Sequence, residues 1–196
     1  MIKGLEELKR LLIVVDMVNG FVKEGKMADK EIAKIIPEQL RLIKEFIEKG
    51  DGVAFIKDSH NKNSREFKRY PEHCEIGTSE SELVDELKPF EESSLVYEKN
   101  STSALFAERY LSDIERMKKL EEIVVVGCCT DICVLNLVIP QQNYFDQNNR
   151  DVEIVVPMNA VETYDAPFHN RGEYNDMAFK LMNQAGIKLV KRYGGK

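Results

Sequence analysis

Leu11-Leu12-Ile13-Val14-Val15-Asp16 is the stretch on which the fold turns. Five apolar residues run without a polar interruption and end abruptly on an acid. A strand with one wet face alternates apolar and polar residues. An unbroken run of this length therefore reads as a strand buried on both faces, as in a parallel sheet. Val53-Ala54-Phe55-Ile56, which leads into Lys57-Asp58, and Ile123-Val124-Val125-Val126, which leads into Gly127, repeat the pattern. Leu95-Val96-Tyr97 and residues 152–156 and 187–190 complete the expected strands. Helical spacing fills the intervals. Ile36, Leu40, Ile43 and Ile47 recur at steps of four, three and four, with Pro37 in the first turn and Gly50 at the end. Residues 103–117 read as a helix capped by Ser103, another helix runs from the 127–131 turn to about Pro140, and a last one covers 171–185. Strands alternating with helices predict an α/β domain: a three-layer α/β/α sandwich around a mostly parallel sheet, one domain over residues 1–196.

Composition narrows the partners. The 196 residues carry 28 Lys and Arg against 34 Asp and Glu, a net charge of −6, which disfavours nucleic acid as the main partner. The longest apolar runs are about five residues, too short for a membrane-spanning helix. The acidic, polar start at residues 1–7 does not resemble a secretory leader, so a cytoplasmic protein is expected. Four cysteines occur, three of them (Cys128, Cys129 and Cys133) within six residues, a spacing that suits reduced thiols better than a disulfide framework.

Ligands of parallel sheets bind where strands end at their carboxyl edge. Asp16, Asp58, Lys99 and the turn before Cys133 all fall at such ends. In Asp58-Ser59-His60, residues two apart point to one side, and Glu66 and His73 follow in the same loop. Two of the chain's three histidines with two acids suit zinc, iron or manganese, and make a divalent metal ion the expected cofactor. In Gly127-Cys128-Cys129-Thr130-Asp131-Ile132-Cys133, either Thr130 or Asp131 can cap a helix whose first turn holds Cys133. Free N–H groups there favour a thiolate and can hold an oxyanion. A thiol nucleophile usually takes its base from histidine. With His60 and His73 assigned to metal and His169 remote, Asp16 is the candidate base. Lys99 is the candidate cation that lowers the thiol's pKa. Cys74, Cys128 and Cys129 read mainly as buried structural thiols.

These residues resemble the cysteine hydrolases of the isochorismatase-like superfamily, in particular its nicotinamidase/pyrazinamidase branch. The likeness spans roughly residues 9–191. Its anchors are the 12–21 segment, Asp58-Ser59-His60, the segment from Glu66 to His73-Cys74, Glu98-Lys99-Asn100-Ser101 and the 127–134 turn. Each is modest alone, and the five in order are specific. The resemblance implies Asp16, Lys99 and Cys133 as a catalytic triad, and Asp58, His60 and His73 as metal ligands with Glu66 as a fourth. It also implies an oxyanion hole on the amides of Cys129 and Cys133, a cis bond between Cys128 and Cys129, and Phe21 and Tyr70 about the substrate ring. The sequence departs from the family pattern at Val18, Ser59 and Tyr70, where relatives often carry glutamine, an aromatic residue and tryptophan. The implied activity is hydrolysis of nicotinamide to nicotinate and ammonia by a cytoplasmic homo-oligomer active in NAD salvage. An N-carbamoyl compound or another small amide is the alternative substrate. A non-catalytic metal- or redox-sensing thiol protein is the reading from another class.

Overall fold

A computed structural model describes residues 4–194. Met1-Ile2-Lys3, part of the stretch read as unlike a leader, lies outside the described residues. Strands β1 (Arg10–Val15), β2 (Gly52–Asp58), β3 (Leu95–Lys99), β4 (Glu122–Cys128), β5 (Glu153–Pro157), β6 (Val161–Glu162) and β7 (Lys188–Val190) form one sheet. The order is β3-β2-β1-β4-β5-β7, every pairing is parallel, and β6 adds to the end of β4.

Two-sided burial is what the apolar runs required. Residues 11–15 are fully buried. Leu11, Ile13 and Val15 pack into one core with Ile114, Leu137, Val138 and Met182, from helices α3 (Tyr110–Arg116), α4 (Leu135–Gln147) and α5 (Arg171–Gln184). Leu12 and Val14 pack into the other with Leu42, Ile43 and Phe46 of α2 (Ile36–Lys49) and Val22 of the short α1 (Asn19–Val22). The fold is thus a three-layer α/β sandwich. Pro37 lies in the first turn of α2, and Gly50 ends it in the left-handed conformation (φ 70°).

Three local expectations are corrected. Residues 103–117 do not form one helix. A 3-10 turn at Ala104–Phe106 is followed by Arg109 at φ 65°, and α3 starts only at Tyr110. Ser103 makes no cap; its hydroxyl donates to Asn136 O at 2.9 Å. That bond explains the second correction, since α4 runs through Pro140 to Gln147 rather than ending there. Pro140 has no N–H for the carbonyl four residues earlier, and Ser103 supplies the missing donor. Thirdly, neither Thr130 nor Asp131 caps the turn after β4. Residues Thr130–Val134 form a π-helical turn with Val134 N donating to Cys129 O, and the Asp131 carboxylate is engaged elsewhere.

Strand order reverses between β1, which continues to β2, and β4, which lies on the other side of β1. Ligands of open α/β sheets sit at such a switch point. Here β4 approaches β1 closely, because a Cβ at Gly127 (φ 121°) would lie 2.1 Å from Val15 O. The bare backbone at 127 brings the turn carrying Cys133 against Asp16.

Candidate active site

Four adjacent strands deliver the charged residues. Asp16 follows β1, Asp58 ends β2, Lys99 ends β3, and Cys133 lies in the turn after β4; all are buried. Asp16 (φ 51°) is fixed by its own N–H donating to Ile56 O at 2.9 Å and by the Cys128 thiol donating to its carbonyl at 3.2 Å. The Cys128 thiol thereby helps hold the Asp16 backbone in place. Lys99 Nζ lies 2.9 Å from Asp16 Oδ2 and 3.7 Å from Cys133 Sγ, and pairs with Asp58 Oδ1. A carboxylate oxygen of Asp16, one of Asp58 and the Cys133 sulfur all lie within 4.8 Å of one another.

Burial pushes the Cys133 thiol well above its ordinary pKa; Lys99 pulls it down, and Asp16 and Asp58 push it up again. Burial and the two carboxylates thus oppose the thiolate that Lys99 favours. Burial raises Asp16 to about 7, against the pull of Lys99 and with help from Asp58. Asp58 moves the other way. Burial would raise it, but the positive charge of Lys99 outweighs that and holds it below the carboxylate range. The two carboxylates of one buried site thus differ in proton affinity, Asp16 holding its proton more tightly than Asp58.

The loop after β2 returns to its own start. His60 N donates to Cys74 O at 2.9 Å and Ile76 N to His60 O at 3.0 Å, which brings His73 beside His60 with ring centroids 4.6 Å apart. His60 Nδ1 donates to Asn100 Oδ1 at 2.9 Å, and His73 Nδ1 to Pro71 O at 2.7 Å. Both Nε2 atoms are therefore lone-pair donors, 3.4 Å and 3.6 Å from Asp58 Oδ2. His60 Nε2 is buried with no hydrogen-bond partner. Two outward-anchored imidazoles converging with a carboxylate oxygen are the donor set of a divalent metal, and these residues fit one. Glu66 is buried on the same loop but outside that mutually close set.

Beside the sulfur is a small cavity of about 20 Å³ lined by Phe21, Tyr70, Cys129, Cys133 and Tyr164 among others. Phe21 and Tyr70 both pack on His73, with centroids at 5.4 Å and 6.4 Å. The Cys128–Cys129 peptide bond is cis.

Residues 10–192 match the Isochorismatase domain. The chain belongs to the isochorismatase family. Within it, the similarity is to the nicotinamidase branch. Nicotinamidase 1 of Arabidopsis thaliana is 31% identical over 94% of this chain and 83% of its own length. The structure of nicotinamidase/pyrazinamidase PncA from Bacillus subtilis superposes with a TM-score of 0.76 at 29% identity, covering 94% of this chain and all of that one. N-carbamoylsarcosine amidase from Thermoplasma acidophilum superposes with a TM-score of 0.75 at 26% identity, covering 96% of this chain and all of that one.

Sequence reasoning missed part of the lining of the cavity beside Cys133. Met27, Thr102, Ile132 and Tyr164 also line it. Thr102 and Ile132 lie beside or within quoted motifs but carry no group whose chemistry singles them out, and Met27 and Tyr164 stand in loops that no motif marks. His169, left without a role by its sequence context, is buried and bonded to Asp131. No helix among the described residues is long and apolar enough to cross a membrane.

Proposed function

We propose that this protein is a single-domain amidohydrolase that converts a small ring carboxamide, nicotinamide foremost, to the carboxylate and ammonia. The observation that carries this reading is the Asp16–Lys99–Cys133 cluster touching Asp58, whose other oxygen faces two histidine nitrogens. A redox-sensing thiol protein would leave Asp16 and Lys99 idle.

Asp16 takes the proton of the Cys133 thiol as sulfur attacks the carboxamide carbon. The S–C bond forms and the carbonyl π pair moves to oxygen, where the amides of Cys129 and Cys133 receive it, each such donor being worth about 3 kcal/mol. Asp16 then returns the proton to nitrogen as the C–N bond breaks and ammonia leaves. Water activated by Asp16 cleaves the thioester and restores the thiol. Lys99 stays protonated, since Asp16, Asp58 and Cys133 outweigh the effect of its burial, and it balances the carboxylates throughout. Asp58, His60 and His73 would hold a divalent ion, zinc being the best match, with Glu66 the candidate fourth ligand. When bound, that ion orients a ring nitrogen and withdraws electron density from the carboxamide. Phe21 and Tyr70 would flank the ring.

A second reading, an N-carbamoyl substrate, is favoured by the likeness to the carbamoylsarcosine amidase. Ammonia release from a panel containing nicotinamide, pyrazinamide, N-carbamoylsarcosine and aliphatic amides, with metal analysis of the same sample, decides among these. Fastest turnover of nicotinamide supports the reading. Reversible thiol oxidation with no ammonia from any amide overturns it in favour of the sensor.

Two predictions follow from the electrostatics. Asp16 acts only when ionised, so kcat/KM should fall about tenfold per pH unit below pH 7 and level off above it. An activity profile flat down to pH 5 would remove Asp16 as the base. Chelation should weaken the nicotinamide complex of the Cys133→Ala protein at least about tenfold, read by calorimetry, because one ring anchor is worth at least that factor. Unchanged affinity after metal removal would take the donor set out of substrate binding.

A further inference from the structure

The turn that carries Cys133 also carries Asp131, whose buried carboxylate reaches 38 residues along the chain. Its Oδ2 accepts from His169 Nε2 at 2.9 Å, and its Oδ1 from Thr163 Oγ1 at 2.5 Å. His169 Nδ1 faces the Tyr164 carbonyl at 3.1 Å. Both partners of this imidazole are acceptors, so the two bonds exist together when both ring nitrogens carry hydrogen. The ring itself is stacked between Tyr164 and Tyr174, with centroids at 3.9 Å and 3.7 Å and tilts of 12° and 26°. Arg171, the first residue of α5, closes the far side. Its Nε donates to Thr163 O at 2.9 Å and its guanidinium pairs with Asp29. The segment 163–169 is thus tied to the nucleophile turn on one side and to α5 on the other.

Tyr164 has a second position of note. It lines both the 20 Å³ cavity beside Cys133 and an outer vestibule of about 750 Å³, and shares that double role with Met27 and Tyr70. These three side chains partition the vestibule from the cavity.

We propose that Asp131 and His169 form a latch that holds Tyr164 as the outer wall of the inner cavity, which makes His169 a positioning residue for ring-shaped amides. The substrate in this inference rests on the hydrolase reading above; the latch rests on the geometry alone. The 20 Å³ cavity has room for little more than a carboxamide group, so with the latch intact a planar ring would lie across the partition against Tyr164, which is supported from behind by its stack on His169 and Tyr174. With it open, cavity and vestibule merge and that face is lost. A two- or three-carbon aliphatic amide never uses that face, so the latch selects ring over chain.

The test compares the wild type with His169→Leu and with Tyr174→Leu. The latter removes support from the far side of His169 without touching the cavity. KM for nicotinamide should rise about tenfold in His169→Leu, the order of one aromatic contact, with kcat within about threefold and propionamide kinetics unchanged. A readout independent of turnover accompanies it, namely alkylation of Cys133, followed by mass spectrometry, with iodoacetamide and with its bulkier N-phenyl analogue. The aryl reagent should gain on the small one in both variants as the wall loosens. Equal losses for ring and aliphatic amides, or an unchanged ratio of the two alkylation rates, overturn the latch. A wild type that releases no ammonia overturns the hydrolase reading, and the alkylation ratio then decides the latch by itself.

Discussion

Cys133→Ala is expected to abolish ammonia release, with turnover down by at least about four orders of magnitude, the loss seen when the nucleophile of a covalent mechanism is removed. Among the described residues the thiol is the only sulfur within hydrogen-bond reach of Lys99, and it sits within 4.8 Å of the Asp16 and Asp58 carboxylates. Metal content should be unchanged, because Asp58, His60 and His73 are anchored by Lys99, Asn100 and Pro71 rather than by the sulfur. Folding stability should change little, since a buried neutral thiol replaced by a methyl group leaves no unpaired charge. Residual turnover near the wild-type rate would move the nucleophile elsewhere in the site, and loss of metal would place Cys133 among the ligands.

Lys99→Met is expected to act on stability as well as on activity. Lys99 is buried between two buried carboxylates, and its removal leaves Asp16 without a counter-charge and Asp58 with only the ion it would hold. Stranding a buried charge typically costs about 3–5 kcal/mol, or on the order of 10 °C in Tm for a domain of this size. Turnover should fall with it, because the negative charge that develops near the sulfur loses its balancing cation. The double variant Lys99→Met with Asp16→Asn should recover part of the lost stability while remaining inactive, which separates the ionic cause from a packing defect. Denaturant unfolding of the single and double variants reads this directly. A Lys99→Met protein within about 1 kcal/mol of the wild type would show that the carboxylates tolerate each other without the amine.

The fold was largely legible because its central strands are buried on both faces, and uninterrupted runs such as Leu11-Leu12-Ile13-Val14-Val15 fit no other setting. The polar positions at their carboxyl ends were legible for the same reason, as Asp16, the pair Lys57-Asp58 and the pair Glu98-Lys99 follow apolar runs where a parallel sheet presents its ligand edge. Features set by tertiary partners were not legible. Pro140 reads as a helix stop until Ser103 is known to satisfy the carbonyl it orphans. Asp131 reads as a helix cap until Thr163 and His169 arrive from the far end of the chain. The turn at Cys133 reads as thiolate-favouring, and the opposing burial of the sulfur beside two carboxylates leaves no mark in it. The two-residue β6 is too short to leave a periodicity.

The sheet order β3-β2-β1-β4 has a consequence for how the chain comes off the ribosome. The central strand is made early, whereas the neighbour that must flank it on one side is made about a hundred residues later. Until that partner emerges, a greasy, hydrogen-bond-hungry border is open to any passing polypeptide, and such long-range parallel pairings close slowly. Nascent or truncated forms ending before residue 122 should therefore depend on chaperones and be prone to clumping. They would also lack Cys133, which is made only with the turn that follows β4.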